Sequence, residues 1–406
     1  MLIPTQAPVA TAPLFSSSLP PLSLYIHIPW CVRKCPYCDF NSHVQPEIIP
    51  ESEYIQALLA DLDQDLSWVQ GRSIATIFFG GGTPSLLSAS AYQTLFDGLR
   101  QRVTFADDIE ITLEANPGTF EAEKFAAYRA LGVNRLSIGV QTFDSDLLKT
   151  LGRIHDGDQA QNAISVAKQA GFENFNIDLM HGLPGQTVAQ ALSDLNTALA
   201  FAPPHLSWYQ LTLEPNTEFY KYPPILPDDD TLWDIQEAGN TLLASAGFEH
   251  YEISAFAQPR RVARHNINYW TFGDYLGLGA GAHGKVTLHG PTGMQIFRSR
   301  KTRLPKDYLN SFLNGDFING QKHQIKITEA VDRVDVGLEC LMNALRLTDG
   351  ISVADFQKHT GLTLEDLTKP IAQAQKLGLL EVDTRIYPSE RGQRYLNELL
   401  GIFLTD

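Results

Sequence analysis

Three cysteines, Cys31, Cys35 and Cys38, lie within eight residues of one another in the segment YIHIPWCVRKCPYCDF. The C-x3-C-x2-C spacing offers three thiolates, which are the ligands that iron–sulfur clusters need. Three ligands for the four irons of a [4Fe-4S] cluster leave one iron open, and an open iron can bind and activate a small molecule. The triplet therefore predicts a reactive cluster.

Zinc with three cysteines and one histidine is the alternative use of these thiols, with His27 or His43 as the fourth ligand. Structural zinc sites usually combine two short ligand motifs separated by a longer stretch, and no second Cys/His pair follows at that spacing. A disulfide is disfavoured because three clustered cysteines cannot all pair and because low cysteine usage suits a reducing cytosol. The pattern favours the cluster.

Length and charge restrict the class of protein. The chain has 406 residues, enough for two domains, and 46 acidic against 31 basic residues, a net charge of −15. This balance argues against a nucleic-acid binder but leaves room for a local basic pocket. Residues 1–22 are rich in Pro, Ser, Ala and Thr and resemble a disordered arm more than a secretory signal. We expect a cytoplasmic protein that can still touch a membrane peripherally.

Short β-rich runs alternate with amphipathic stretches over the first half of the chain, which predicts an α/β fold with a parallel sheet. Six such units are too few for a closed eight-fold barrel, so a partial barrel and a doubly wound sheet both fit. The predicted strands are 24–28, 74–79, 109–114, 135–140, 176–180 and 205–211, and the predicted helices are 53–68, 89–100, 121–131, 158–170 and 187–200.

Polar or glycine-rich features fall at equivalent ends of these strands. The cysteine loop follows the first strand and the GGGTP segment at 80–84 follows the second, while Glu114, Gln141 and Asp178 lie at the third, fourth and fifth. Parallel α/β folds place their sites at the carboxyl ends of the strands, so these features predict one shared cavity. The glycines allow a ligand to approach the backbone closely, although a tight turn needs them too.

The segment HNINYW at 265–270 follows three arginines at 260, 261 and 264. An imidazole beside aromatic rings and guanidinium groups suits a heme. A core histidine bonded to the backbone is the other interpretation, and most histidines are not ligands. The residues alone favour the core histidine. Residues 327–404 carry short helices and a small hairpin typical of a winged helix, for which the acidic balance favours a packing or lid role over DNA binding.

The motifs together resemble the radical S-adenosylmethionine (SAM) superfamily and, more narrowly, the oxygen-independent coproporphyrinogen III oxidase-like family. The resemblance spans residue 23 to about 404 and rests on YIHIPWC, CPYCDF, GGGTPS, LEANPG, SIGVQTF, LGRIH, DLMHGLPGQT, HNINYW and GLGAGAHG. It implies a partial (β/α)6 TIM-like barrel of the radical SAM type over 23–255. A connecting region would cover 256–326, and a winged-helix-like α+β domain 327–406.

The resemblance also implies cofactors and the residues that hold them. In this family the open iron binds the amino and carboxylate groups of SAM, and electron transfer cleaves SAM to a 5′-deoxyadenosyl radical. Residues matching the cluster-bound SAM site are Tyr25, Gly81 and Glu114. Residues matching a second SAM site are Gly82, Thr83, Gln141, Arg153 and Asp178.

Two departures separate this chain from the oxidase of that family. Phe40 stands where the oxidase carries a fourth cysteine, and only 30 residues precede Cys31 where the oxidase has a longer arm. Both favour a heme chaperone subfamily, which shares the H-N-x-x-Y-W motif, over coproporphyrinogen III oxidase, the enzymatic alternative. The subfamily resemblance implies heme b near His265, Tyr269 and Trp270. It also implies transfer of heme to a respiratory protein at the membrane surface, by a monomer or homodimer that binds no nucleic acid, with SAM cleavage left open.

Overall fold

The computed structural model describes residues 19–118, 122–290, 293–313, 317–318, 321–322 and 326–404. Most of the predicted arm, residues 1–18 of 1–22, therefore lies outside the described residues. The described residues 19–22 are hydrogen-bonded to the rest of the protein. The Pro20 carbonyl accepts a hydrogen bond from Arg72 Nη1 at 2.9 Å, and the Pro21 carbonyl accepts one from Asp274 N at 3.0 Å.

Twelve strands form one large sheet, and all six predicted strands belong to it. They are β1 (Leu22–Ile28), β2 (Ile74–Gly81), β3 (Phe105–Ala115), β4 (Arg135–Gln141), β5 (Phe175–His181), β6 (His205–Gln210), β7 (Glu249–Glu252), β8 (Ala255–Ala257), β9 (Asp274–Leu278), β10 (His283–Gly290), β11 (Gly293–Lys301) and β12 (Lys326–Ala330).

The sheet has the order β12-β11-β10-β9-β1-β2-β3-β4-β5-β6-β8-β7. Strands β1 to β6 pair in parallel as six consecutive βα units, and β9 adds a further parallel strand beside β1. Among the described residues the two ends of the sheet do not pair, so the barrel is open. Strands β1 to β6 lie in chain order without the reversal of strand order that a doubly wound sheet has, which confirms the predicted partial (β/α)6 barrel.

The described residues form the helices α1 (Glu51–Asp65), α2 (Ala89–Arg102), α3 (Ala122–Leu131), α4 (Ser145–Thr150), α5 (Gly157–Gln169), α6 (Val188–Ala200), α7 (Glu218–Lys221), α8 (Asp229–Ser245), α9 (Arg264–Trp270), α10 (Pro305–Leu313), α11 (Arg333–Ala344), α12 (Val353–Thr360), α13 (Thr368–Lys376), α14 (Glu390–Arg394) and α15 (Leu396–Gly401). The five predicted amphipathic stretches correspond to α1, α2, α3, α5 and α6. Capping boxes at Asp156 and Thr187 begin α5 and α6 by satisfying free backbone N–H groups.

Side chains along the parallel strands alternate between two environments, as the two-residue period of a strand requires. In β4, Leu136, Ile138 and Val140 are fully buried in the main hydrophobic core, whereas Ser137 and Gln141 line a cavity on the other face. The outer face is thus apolar and packs on helices, and the inner face is polar. Polar side chains line the interior of this barrel and leave a cavity, whereas a packed barrel core would be filled with apolar side chains.

The C-terminal domain has its own core. Helices α11 to α15 surround a three-stranded sheet of β13 (Ile351–Ser352), β14 (Leu380–Val382) and β15 (Arg385–Pro388). Its core side chains, such as Leu341 and Phe356, also pack on Phe272 and Ile296 of the preceding region. Residues 326–330 pair with β11 as a strand, so the first helix of the domain begins only at Arg333. The last two short helices meet at Tyr395.

No helix in the described part of the chain has the length and apolar character needed to cross a membrane.

A cluster of buried charged side chains joins strands β11 and β12 to helix α1. Lys301 in β11 has a side chain with 0% exposure and forms ion pairs with Asp61 and with Asp65, the latter at 2.9 Å. Tyr308 donates a hydrogen bond to Asp61 Oδ2 at 2.7 Å, and Lys326 pairs with Asp65 at 2.6 Å. The cluster joins segments that are far apart in the sequence.

We expect Lys301→Met to destabilise the protein strongly, because it leaves the Asp61 carboxylate buried without a cation. Loss of one partner of a buried pair costs about 3–5 kcal/mol, which urea unfolding would register as a lower midpoint. Arg300→Met is the matched control, since Arg300 pairs with Glu329 on the surface at 56% side-chain exposure and should change stability by less than about 0.5 kcal/mol. Equal shifts for the two variants would contradict the assignment.

Candidate functional site

A cavity of about 330 Å³ opens at the carboxyl ends of the parallel strands. The structure brings together there the three predicted cysteines and all but one of the predicted SAM residues. They are Cys31, Cys35, Cys38, Gly81, Gly82, Thr83, Glu114, Gln141, Arg153 and Asp178. Residues from five successive strand ends thus face one space, as the order of the motifs predicts.

The cysteine loop presents three free, partly exposed thiols to this cavity. A turn within the loop is closed by Cys38 N donating to Cys35 O at 3.1 Å. Burial raises the pKa of the Cys31 and Cys38 thiols, so binding of a metal must displace their protons. Arg153 Nη1 donates to Cys35 Sγ at 3.7 Å, so a guanidinium lies directly beside one of the three sulfurs.

The donor set fits a cluster better than zinc. Structural zinc sites use four protein ligands, whereas the described lining of this cavity offers three cysteines and no histidine. Three thiolates suit a cluster that keeps one iron open. His27 is not free to be a zinc ligand, because its Nε2 bonds Asn41 O at 2.9 Å and its Nδ1 bonds Tyr25 Oη at 2.8 Å.

The glycine loop after β2 lies directly against the cysteine loop. Gly82 N donates to Ile28 O, and Thr83 N donates to Trp30 O, both at 2.7 Å. A Cβ on Gly82 would lie 2.5 Å from the Trp30 carbonyl oxygen. Gly81 has φ +113°, and its Cβ would meet the His27 ring. The glycines therefore serve close packing of the two loops, while their other side lines the cavity.

Two buried carboxyl groups face each other across the cavity. Glu114 accepts a hydrogen bond from Gly81 N at 3.2 Å. Burial, with the nearby charge of Asp178, raises the pKa of Glu114 to about 8. Asp178 accepts hydrogen bonds from Ser137 Oγ at 2.9 Å and Asn176 Nδ2 at 2.7 Å, yet burial raises its pKa as well. Without a ligand, Glu114 keeps its proton at neutral pH, and an arriving cation would lower its pKa.

Hydrogen bonds to β4 and to the residue that follows β3 hold the Arg153 side chain in place. Its Nη2 donates to Asn116 Oδ1 at 2.6 Å and to Gly139 O at 2.7 Å, and Asn116 Nδ2 donates to Thr83 Oγ1 at 3.0 Å. Gln141, at φ +72°, accepts a hydrogen bond from Tyr209 Oη at 2.7 Å. The cavity therefore has fixed polar walls before any ligand arrives.

Sequence reasoning missed Asn116, Ser137 and Tyr209, which also line the cavity. Ser137 and Tyr209 occupy inward positions of predicted strands, so the two-residue period counted back from Gln141 could have found the first of them. Tyr25 is the predicted SAM residue that does not line the cavity. Its hydroxyl bonds His27, and its ring stacks on Phe78 with centroids 6.0 Å apart.

A second cavity of about 180 Å³, here called the inner cavity, lies deeper in the barrel and shares Glu114, Ser137, Asp178 and Ser207 with the first. Helix α9, which carries the HNINYW motif, closes it. His265 N and Nδ1 both donate to Glu110 Oε1 in β3, at 3.1 and 2.9 Å.

Further bonds fix α9 in this position. Asn268 Nδ2 donates to Ser23 Oγ in β1 and to Asp274 O, both at 2.9 Å. Helix α9 thus bonds Ser23 near the start of β1 and Glu110 in the middle of β3, below the strand ends that carry the cysteine loop, and we call it the plug helix.

The predicted heme residues share this helix but not one pocket. His265 is 7% exposed at the inner cavity. Tyr269 packs on Tyr275 with ring centroids 4.6 Å apart, and Trp270 lies under the Arg346 guanidinium at 4.5 Å. Pockets for small organic ligands have about 300–1,000 Å³, more than the inner cavity offers. Access of heme to His265 therefore requires the plug helix to move.

The raised pKa of Glu114 predicts a pH-dependent stability in the absence of SAM. An unfolded glutamate loses its proton near pH 4.5, whereas the folded one loses it near 8. Between these values the folded state binds the extra proton, so stability falls as pH rises, by up to about 1.4 kcal/mol per pH unit. Glu114→Gln should remove this fall. Parallel pH profiles of the two proteins from pH 5 to 8, measured by urea unfolding, would contradict the assignment.

Comparison with known proteins places these features in families. The Radical SAM superfamily model matches residues 25–198, and the HemN C-terminal domain model matches residues 331–395. The crystal structure of coproporphyrinogen III oxidase (HemN) from Escherichia coli, a radical SAM enzyme, superposes with a TM-score of 0.77. It covers 96% of this chain and 91% of that chain at 24% identity, a likeness of fold.

Two curated relatives match along nearly their whole length. The heme chaperone HemW of Escherichia coli K12 is 51% identical over 96% of this chain and 99% of its own. The heme chaperone HemW of Haemophilus influenzae is 49% identical with the same coverage of both chains. At this identity and coverage, the chain belongs to the heme chaperone HemW family within the radical SAM superfamily.

Proposed function

We propose that this chain is a heme chaperone that carries a [4Fe-4S] cluster and SAM, binds heme b, and passes the heme to a respiratory heme protein. The observation that carries the proposal is the 51% identity, end to end, with a relative that bears this name. Phe40 agrees with it, because this 59% exposed phenylalanine replaces the fourth cysteine expected of the oxidase. These relatives favour the chaperone over coproporphyrinogen III oxidase.

Cys31, Cys35 and Cys38 are the proposed ligands of the cluster. When bound, the cluster supplies an electron to SAM held at its open iron. The protein contributes the surroundings: the Arg153 guanidinium next to Cys35 supports negative charge on the sulfur, and the seating of Thr83 on Trp30 fixes the loop that carries Cys31.

The remaining walls suit the two ends of SAM. Glu114, neutral without a ligand and opposite Asp178, suits the positively charged amino group, which would draw off its proton. Arg153 offers a fork to a carboxylate. Asp178 and Gln141 offer hydrogen-bonding groups for a ribose and a second SAM, and Gly81, Gly82 and Thr83 line the cavity beside them. Tyr25 would act through His27, since its hydroxyl bonds that ring.

His265 is the proposed iron ligand for heme, with Tyr269 and Trp270 as neighbours. Burial would raise the pKa of Glu110, but His265 holds it at about 2, and burial lowers the pKa of His265. The pair is therefore a carboxylate accepting a hydrogen bond from a neutral imidazole. Its Nδ1 carries the proton, so Nε2 remains a free donor for iron, the arrangement usual for metal-binding histidines.

The respiratory acceptor and a place at the cytoplasmic face of the membrane belong to this proposal, as does a monomer or homodimer. The net charge of −15 favours a protein acceptor over nucleic acid.

A heme titration followed at the Soret band tests the ligand assignment. We expect His265→Ala to lose the spectrum of a histidine-bound iron. Glu110→Gln should weaken heme binding about 10–100-fold, because it removes the charge that orients the imidazole. His250→Ala is the control, since His250 lies in β7 at the far end of the sheet and bonds Ile253 O at 3.1 Å. An unchanged spectrum and affinity in His265→Ala would show the assignment to be wrong.

The oxidase alternative has its own assay. Coproporphyrinogen III, SAM and a reductant, incubated with the protein without oxygen, should yield no protoporphyrinogen IX. Its appearance would replace the chaperone with the oxidase.

A further inference from the structure

Large apolar side chains that are exposed to solvent gather around the cysteine loop, at the opening of the cavity that holds the three cysteines. Six of them, each at least 40% exposed, are Val32, Phe40, Ile154, Tyr222, Ile225 and Leu304. Single exposed apolar residues are normal, but a group of them around one opening marks a surface that contacts another apolar body. We call these six side chains the apolar rim.

Three members of the apolar rim belong to the entrance of the cavity itself. Phe40 lines the cavity that holds the cysteines. Val32 and Ile154 line a small pocket that opens beside Cys35 and Arg153. Apolar side chains therefore stand directly at the entrance to the proposed cluster site.

Hydrogen bonds to the cysteine loop hold the other members beside this entrance. The segment 219–225 is joined to the loop where Phe219 N donates to Pro36 O at 3.0 Å. The carbonyl of Arg303, one residue before the last member of the rim, accepts a hydrogen bond from Asn41 Nδ2 at 2.9 Å. Three segments that are far apart in the sequence thus meet around one opening.

Cations lie among these apolar side chains. Four exposed basic residues are on the same segments, and they are Arg33, Lys34, Lys221 and Arg303. Within the described part of the chain none of the four forms an ion pair with an acid, and no acidic residue lies within two positions of any of them in the sequence. Asp39 is the only acid from residue 31 to 41. A chain with a net charge of −15 therefore offers unpaired positive charge at this opening.

We propose that the apolar rim and its four cations form a docking surface for a bilayer that contains anionic lipids. Exposed apolar side chains enter the boundary of the acyl chains, while lysine and arginine pair with lipid phosphates. An anionic bilayer repels the rest of this acidic chain, so the rim turns the opening of the cavity towards the membrane. The proposal names the surface behind the membrane location in the proposed function, and it rests on that function.

Composition favours a bilayer over an acidic protein as the partner. Two of the four cations are lysines, and lysine is depleted from protein–protein interfaces. Lys221 stands between Tyr220 and Tyr222, with its Nζ 5.1 Å from the centroid of the Tyr222 ring. Tyrosine and lysine together are typical of the headgroup level of a membrane, where an amphipathic side chain keeps one end in water. Ile225, at 89% exposure, stands beside them.

Co-sedimentation with vesicles tests the surface on the full chain, prepared without oxygen and without heme. Vesicles of phosphatidylcholine mixed with phosphatidylglycerol should bind the protein, and vesicles of phosphatidylcholine alone should bind it far more weakly. Lys221→Gln combined with Arg303→Gln should weaken binding to the mixed vesicles about 10–30-fold, the usual worth of two cations at an anionic surface. The difference should shrink as salt is raised.

The matched control changes two exposed lysines of α13, as Lys369→Gln combined with Lys376→Gln. It should bind the mixed vesicles like the unaltered protein. Failure of the unaltered protein to bind these vesicles, or equal binding by all three proteins, would overturn the proposal.

A second measurement tests whether the rim enters the bilayer. Ile225→Trp should gain a fluorescence that lipids brominated on their acyl chains quench. Val334→Trp, at a 72% exposed position of α11, is the control and should not be quenched. Equal quenching of both tryptophans would contradict docking through the rim. So would binding of polyglutamate without binding of vesicles, which would identify an acidic protein as the partner.

The vesicle measurements use no heme, so they are decided separately from the proposed function. If vesicles bind through the rim and the heme titration shows no binding, the heme chaperone assignment fails and the docking surface stands. If heme binds and the vesicles do not, the docking surface alone fails.

Discussion

A buried polar barrel interior must satisfy its own hydrogen bonds, and the rest of this structure depends on that constraint. Asn176 shows how it is met, since it donates to Ser137 and Asp178 and accepts from His205. Glu110 likewise binds the plug helix through His265. Glu114 lines the cavity and keeps its proton, with a pKa of about 8, until a cation approaches it.

The two ends of the barrel are built differently. At the carboxyl ends of the strands, Gly82 N donates to Ile28 O and Thr83 N donates to Trp30 O. These hydrogen bonds join the glycine loop to the cysteine loop, so the cluster ligands and the proposed SAM contacts form one unit. At the amino-terminal ends, the plug helix replaces solvent. The interior is therefore open towards the cysteines and closed behind His265, which explains why two cavities share Asp178 and Glu114.

Local patterns predicted much of this. The strand periods and the polar ends of the strands indicated one cavity, and the family motifs named most of its lining. Pairing between strands that lie far apart in the chain could not be predicted from these local patterns. The place of β9 beside β1 joins segments far apart in the chain, and residues 326–330 became a strand only because β11 offered an edge. The bond between His265 and Glu110 spans 155 positions, so HNINYW showed neither its burial nor its sealing role. No motif indicated that the buried Nη2 of Arg135 would lack a hydrogen-bond partner among the described residues, because this depends on which groups its neighbours bond.

Cys31, Cys35 and Cys38 are proposed to hold a cluster with one iron open to SAM. Iron and sulfide analysis of protein prepared without oxygen, combined with EPR of the reduced sample before and after SAM is added, tests this assignment. We expect about four irons and four sulfides per chain and an EPR signal that SAM changes. Zinc in place of iron, an absence of inorganic sulfide, or a cluster signal indifferent to SAM would contradict it.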